Sequence, residues 1–178
     1  MRGKKLLSGL VWFCAVIFFL LPSQTTHAQQ VKRRYLDKFQ DLSIKLMNET
    51  GIPASVILGV GMLESGMGTS RNARLLHNHF GIVGRNSLAK KHPTYRSKYR
   101  EFKSDTACYE HFVKLLARKK WYPQLKGKAE YAVWLDHMNR SGYSTAGHEW
   151  IRRVSNLIKK YKLYKLDTQM DYAKNAES

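Results

Sequence analysis

Pro53-Ala54-Ser55-Val56-Ile57-Leu58-Gly59-Val60-Gly61-Met62-Leu63 runs directly into Glu64-Ser65-Gly66-Met67-Gly68. The apolar residues of the first segment are nearly continuous, which at this length predicts a buried helix rather than a strand. Pro53 suits its first turn, where a missing N–H costs nothing. Glu64 then falls in the last turn, at the negative end of the helix dipole, before a glycine-rich turn. The dipole and partial burial both disfavour the ionised form, so its pKa is expected above the ordinary carboxylate range. A carboxyl still protonated near neutral pH is what a general acid needs to protonate a leaving oxygen. The alternative is a structural Glu that caps the following turn or pairs with an arginine.

Outward from Glu64 the charge is one-sided. From Ser65 to Arg100 there is no acid, but there are eight Lys or Arg and three His. Over the whole chain of 178 residues the formal net charge is +18. Such a surface suits polyanionic surroundings: cell-wall polymer, membrane or nucleic acid. Arg2, Lys4 and Lys5 precede an apolar run from Leu6 to Leu21, and Thr26-His27-Ala28 offers small residues to a signal peptidase. Residues 1–28 therefore read as a signal peptide, with an uncleaved anchor as the alternative. The run is short for a membrane span and no second candidate follows, so no stable span is expected after cleavage. Export argues against nucleic acid as partner and places the protein in the periplasm, at the cell wall or in the medium. Cys108 is the one cysteine beyond residue 28, so no intramolecular disulfide forms and the core must suffice.

Local patterning predicts one mostly helical α+β domain over residues 29–167, with a small strand-bearing lobe. Val31 to Glu49 is amphipathic through Tyr35, Phe39, Leu42 and Leu46. Thr69 or Ser70 caps a short helix to Leu76. Tyr95, Tyr99 and Phe102, with nearby glycines, suggest a two- or three-stranded ribbon. Helices follow over 104–120, with Ser104 as N-cap, over 128–139, and over 148–161. From Asp167 onward the chain is polar and expected to fray, leaving 168–178 as a tail. His77, His79 and His92 have no acid or cysteine among them, so neither a metal nor another cofactor is expected.

Four segments resemble the peptidoglycan-active endo-beta-N-acetylglucosaminidase domains of glycoside hydrolase family 73, within the lysozyme-like superfamily. Ile57 to Gly68 is similar to an apolar helix ending A-L-E-S-G-W-G, with Met67 in place of Trp. Asn78-His79-Phe80-Gly81-Ile82 resembles N-L-F-G-I, with His79 in place of Leu. Tyr99 to Ser104 resembles F-R-x-Y-x-S, and Ser141-Gly142-Tyr143-Ser144-Thr145 resembles A-G-Y-A-T. The order and spacing agree over residues 33–165.

The resemblance implies a lysozyme-like fold and hydrolysis of the peptidoglycan glycan strand after N-acetylglucosamine. It makes Glu64 the general acid and puts Tyr143 in the cleft beside the cleaved bond. Ser65, Asn78, Phe80, Gly142 and Thr145 become candidate substrate-binding residues, with core packing the alternative for Phe80. Other anionic wall polymers are further candidate partners. The family's additional acid in the lobe has no counterpart between Ser65 and Arg100. Glu101 is the first available carboxylate, and Glu149 another. Without a second carboxylate the sugar's own N-acetyl group could supply the nucleophile. Three other functions remain open: a lytic transglycosylase, a non-catalytic wall-binding module and a cationic membrane-active protein.

Overall fold

The structure, a computed structural model, describes residues 27–171. Most of the expected signal segment and the end of the tail lie outside them. Helix α1 spans His27–Thr50 and α2 spans Ala54–Glu64. Pro53 is the N-cap of α2 rather than its first helical residue, and its carbonyl accepts from the Val56 and Ile57 amides. Residues 54 to 62 of α2 are all buried, because α1, α8 (His148–Lys160) and a terminal 3-10 helix (Leu163–Gln169) pack around it. An all-round apolar helix requires such surroundings.

Two glycines in α2 permit the close packing. A Cβ on Gly59 would lie 2.8 Å from Ile158 Cγ1, and one on Gly61 would lie 2.9 Å from Tyr109 Oη. Each costs about 1 kcal/mol of helix propensity relative to alanine. That cost brings α8 and a pair of buried tyrosines against the helix backbone.

Beyond α2, helix α3 spans Arg71–Leu76, and of the two candidate caps it is Ser70 that accepts from the Ala73 amide. A lobe follows, containing the single turn α4 (Leu88–Lys91). The expected ribbon reduces, among the described residues, to one isolated antiparallel bridge between Val83 and Tyr99. Side-chain amides take the place of longer pairing. Asn86 Nδ2 donates to the Ser97 and Tyr99 carbonyls, while Asn78 Nδ2 donates to those of Ile82 and Arg100. Tyr95 leaves the alternation altogether, donating to Asn72 Oδ1 beneath the Arg71 guanidinium.

Helix α5 spans Asp105–Ala117, with Ser104 at its N-cap accepting from the Ala107 amide. The single turn α6 (Tyr122–Leu125) follows, with Pro123 near its start. Helix α7 spans Tyr131–Arg140 and starts three residues later than predicted. None of the described helices is long and apolar enough to cross a membrane.

The 3-10 helix corrects the expectation of fraying for Asp167 to Gln169. Asp167 is buried, and its carboxylate accepts from the Ser55 amide at 2.9 Å and the Ser55 hydroxyl at 2.6 Å. The Leu163–Gln169 segment is thus fastened to the start of α2, where helix N–H groups lacking an intrahelical partner can bond a carboxylate.

Candidate active site

Glu64 is the last residue of α2, after which the chain coils through left-handed residues at Gly66, Met67 and Gly68. Met67 adopts φ 56° without being glycine, a conformation that costs about 1–2 kcal/mol. The Met67 amide reaches back to the Met62 carbonyl at 2.9 Å, and Ser70 to Ser65 at 2.9 Å. Ser65 fixes the turn from inside. Its hydroxyl donates to the Gly61 carbonyl at 2.6 Å and accepts from the Gly68 amide at 2.8 Å.

The Glu64 side chain leaves this turn on the other side. Its Oε1 accepts from the Trp150 indole Nε1 at 2.8 Å. A Cβ on Gly81, whose φ is 66°, would lie 3.8 Å from Oε2. Burial pushes the Glu64 pKa up, opposed by the Trp150 hydrogen bond and the Arg153 charge. The direction is the one expected from its sequence position.

Tyr143 packs against the same indole, with ring centroids 5.2 Å apart. Its hydroxyl donates to the Phe80 carbonyl at 3.1 Å, tying the 141–147 loop to the segment beside Glu64. Burial first, then the Glu64 charge, raises its pKa well above the ordinary phenol value, so it remains a neutral donor. The structure therefore brings Glu64, Tyr143, Gly81 and Trp150 together. Trp150 was missed as a functional residue. A buried indole seeks an acceptor for its N–H, but no local pattern could name one 86 positions away.

Three candidate substrate-binding residues are buried within the scaffold. Ser65 is fully buried and spends its hydroxyl on the turn. Asn78 is buried and satisfied by Ile82 and Arg100, also accepting from the Ile82 amide at 3.0 Å. Phe80 is buried and stacks on Phe112 at 3.9 Å, leaving only its carbonyl near the site. Gly142, at φ 77°, and Thr145 remain exposed on the loop that carries Tyr143.

Glu101 is committed elsewhere. It accepts from the Ser87 amide and hydroxyl and from Lys91 Nζ, at 2.8, 2.6 and 2.6 Å. Led by the Lys91 bond, these contacts hold its pKa at about 2, so it anchors α4 as a fixed anion. Glu149 lies exposed in a two-pronged pair with Arg152.

The histidines acquire a carboxylate that their sequence neighbourhood lacks. Asp105 Oδ1 lies 2.7 Å from His77 Nδ1 and 3.2 Å from His79 Nε2, and Oδ2 lies 2.6 Å from Lys38 Nζ. Among the described residues no group of three such side chains is arranged to hold a metal ion. Cys108 is buried, and burial pushes its thiol up to about 12, which leaves it inert as a nucleophile.

With this geometry in hand, comparison with known proteins is specific. A family model described as Glucosaminidase, mannosyl-glycoprotein endo-beta-N-acetylglucosaminidase, matches residues 40–163. The catalytic domain of the autolysin Auto from Listeria monocytogenes is similar in structure, with a TM-score of 0.61 at 19% identity. That match covers 83% of this chain and 92% of Auto's domain. The glycoside hydrolase domain of FlgJ from Salmonella typhimurium gives 0.58 at 20% identity, covering 82% of this chain and 98% of that one. A chain of a type VI secretion system effector-immunity complex from Pseudomonas protegens gives 0.56 at 19%, with coverages of 79% and 94%. These structural likenesses are likenesses of fold, and they match the mostly helical, lysozyme-like architecture predicted from the sequence. No curated protein matches the sequence.

Proposed function

The chain belongs to the glucosaminidase family of glycoside hydrolases, and we propose that it is an exported peptidoglycan hydrolase that cuts the glycan strand after N-acetylglucosamine. The observation that carries the reading is the Glu64 carboxyl. It ends a buried helix, is oriented by Trp150, and its pKa is raised by burial. Export is supported by the charged and apolar pattern of residues 1–28.

In this reading Glu64 gives its proton to the glycosidic oxygen as the bond to C1 breaks. Trp150 fixes the carboxyl through Oε1. Tyr143 holds the Phe80–Gly81 backbone beside Oε2, so the proton meets the leaving oxygen in one geometry. Glu101 is fixed between Ser87 and Lys91 rather than beside Glu64. A substrate-assisted route fits: the acetamido carbonyl oxygen attacks C1 and forms an oxazolinium ring. Water then opens that ring at C1, giving its proton to the Glu64 carboxylate, which is thereby restored.

The test is mass spectrometry of fragments released from purified peptidoglycan by the protein and by Glu64→Gln. Reducing N-acetylglucosamine ends, lost in the variant, are expected. Anhydro-muramyl ends would make the protein a lytic transglycosylase. Binding without fragments from either form would leave a wall-binding module.

A further inference from the structure

A cavity of about 430 Å³ is bounded by α1, α3 and residues 67–69. Glu64 does not line it. Tyr35, Phe39 and His79 form its buried floor, and Arg34 and Arg74 stand exposed at its margin. We propose that this cavity binds a carboxylate carried on the peptide stem of peptidoglycan, a proposal that rests on the reading of the substrate given above.

Charge decides the class of ligand. The one acid lining the cavity is Asp105, and it faces Lys38, His77 and His79 at 2.6, 2.7 and 3.2 Å. Arg34 and Arg74 have no ion-pair partner among the described residues. The acid-free sequence from Ser65 to Arg100 explains why α3 offers them none. Two uncommitted guanidiniums beside a neutralised acid leave a net positive rim. Guanidinium binds carboxylate through paired, charge-assisted hydrogen bonds. The floor supplies apolar and aromatic surface, with His79 Nε2 buried and free of a well-directed hydrogen bond. The cavity has the size of an ordinary small-ligand site, enough for an amino-acid side chain and its carboxylate.

Position decides the source. Met67, Gly68 and Thr69 line the cavity, and Gly68 is four residues from Glu64, within about 15 Å along the chain. A stem of four residues spans roughly 13 Å when extended. The reach of a peptide attached to a sugar at the cut is therefore of the same order as the separation between Glu64 and this cavity. Met67 lines the cavity in its left-handed conformation.

Calorimetric binding to the full chain carrying Glu64→Gln tests the proposal without turnover. The probes are a disaccharide-tetrapeptide fragment, the same fragment with its carboxylates amidated, the peptide-free glycan and inorganic phosphate. The acidic fragment is expected to bind about tenfold or more tightly than its amidated form. Adding Arg34→Gln and Arg74→Gln, both at exposed positions, should erase that preference and leave peptide-free glycan binding unchanged. Equal affinity for acidic and amidated fragments overturns the proposal, as does a preference that survives both substitutions. Phosphate competing as well as the acidic fragment also overturns it, by assigning the cavity to anions in general. Glycan binding that ignores the peptide defeats this proposal alone. Failure of every glycan and peptide probe to bind defeats the peptidoglycan reading with it.

Discussion

At the N-terminal end of α2 the Asp167 carboxylate accepts from the Ser55 amide and hydroxyl, and at the C-terminal end Glu64 accepts from the Trp150 indole. Burial is the first cause of a raised pKa in both, to about 6 for Asp167. The helix treats the two differently. Asp167 sits at the positive dipole end, where its bonds to Ser55 offset part of the cost of burying the carboxylate and fasten the Leu163–Gln169 segment to the core. Glu64 sits where the dipole opposes negative charge, which favours keeping and delivering a proton. One helix thus meets an acid suited to holding structure at its start and carries one suited to chemistry at its end, the two distinguished by helix end and by the number of donors.

The largest expected effect separates them directly. Glu64→Gln should reduce glycan cleavage by about 10²–10⁴-fold while leaving the thermal midpoint unchanged or higher. Asp167→Ala should do the reverse, losing about 1–3 kcal/mol in denaturant unfolding while folded protein keeps its specific activity. A folded Asp167→Ala protein without activity would break the distinction. The pH dependence sharpens it. With its folded pKa raised to about 6 from the ordinary aspartate value of 3.8, Asp167 contributes stability that is complete below the lower value. That contribution is lost as pH rises through the upper one. Unfolding free energy should therefore fall across this window, and Asp167→Asn should flatten the slope.

A smaller effect concerns Trp150. Its N–H favours the ionised form of Glu64, so Trp150→Phe should raise the Glu64 pKa. The alkaline limb of the pH–rate profile should then move upward. A limb that stays in place would separate that limb from Glu64. The smallest change is Ser55→Ala, which removes the hydroxyl but keeps the amide donor to Asp167. It should cost about 1 kcal/mol, less than Asp167→Ala.

The same contrast explains how much was legible in the sequence. Glu64, the Ser70 and Ser104 caps and the long helices all follow from patterns within a few residues, and the structure has them. The motif around Asn78 and Phe80 was recognisable, but its role was not, because burial is a property of what packs around a residue. Asn78 and Asn86 also show why the ribbon was overestimated. Aromatic alternation suggested strands, whereas side-chain amides satisfy the carbonyls that a ladder would have used.

The sequence by itself determined the buried helix, the acid at its end, the acid-free basic stretch beyond it and the family motifs. These depend on periodicity, local capping and composition, which act over a turn or two of chain. Tertiary structure alone decided that Trp150 orients Glu64, that Asp167 closes the other end of α2, and that Asp105 joins His77 and His79. Those pairs are separated by 86, 112 and 26 to 28 positions. Hydrogen bonding and desolvation depend on distance in space, and chain folding sets that distance between residues remote in sequence.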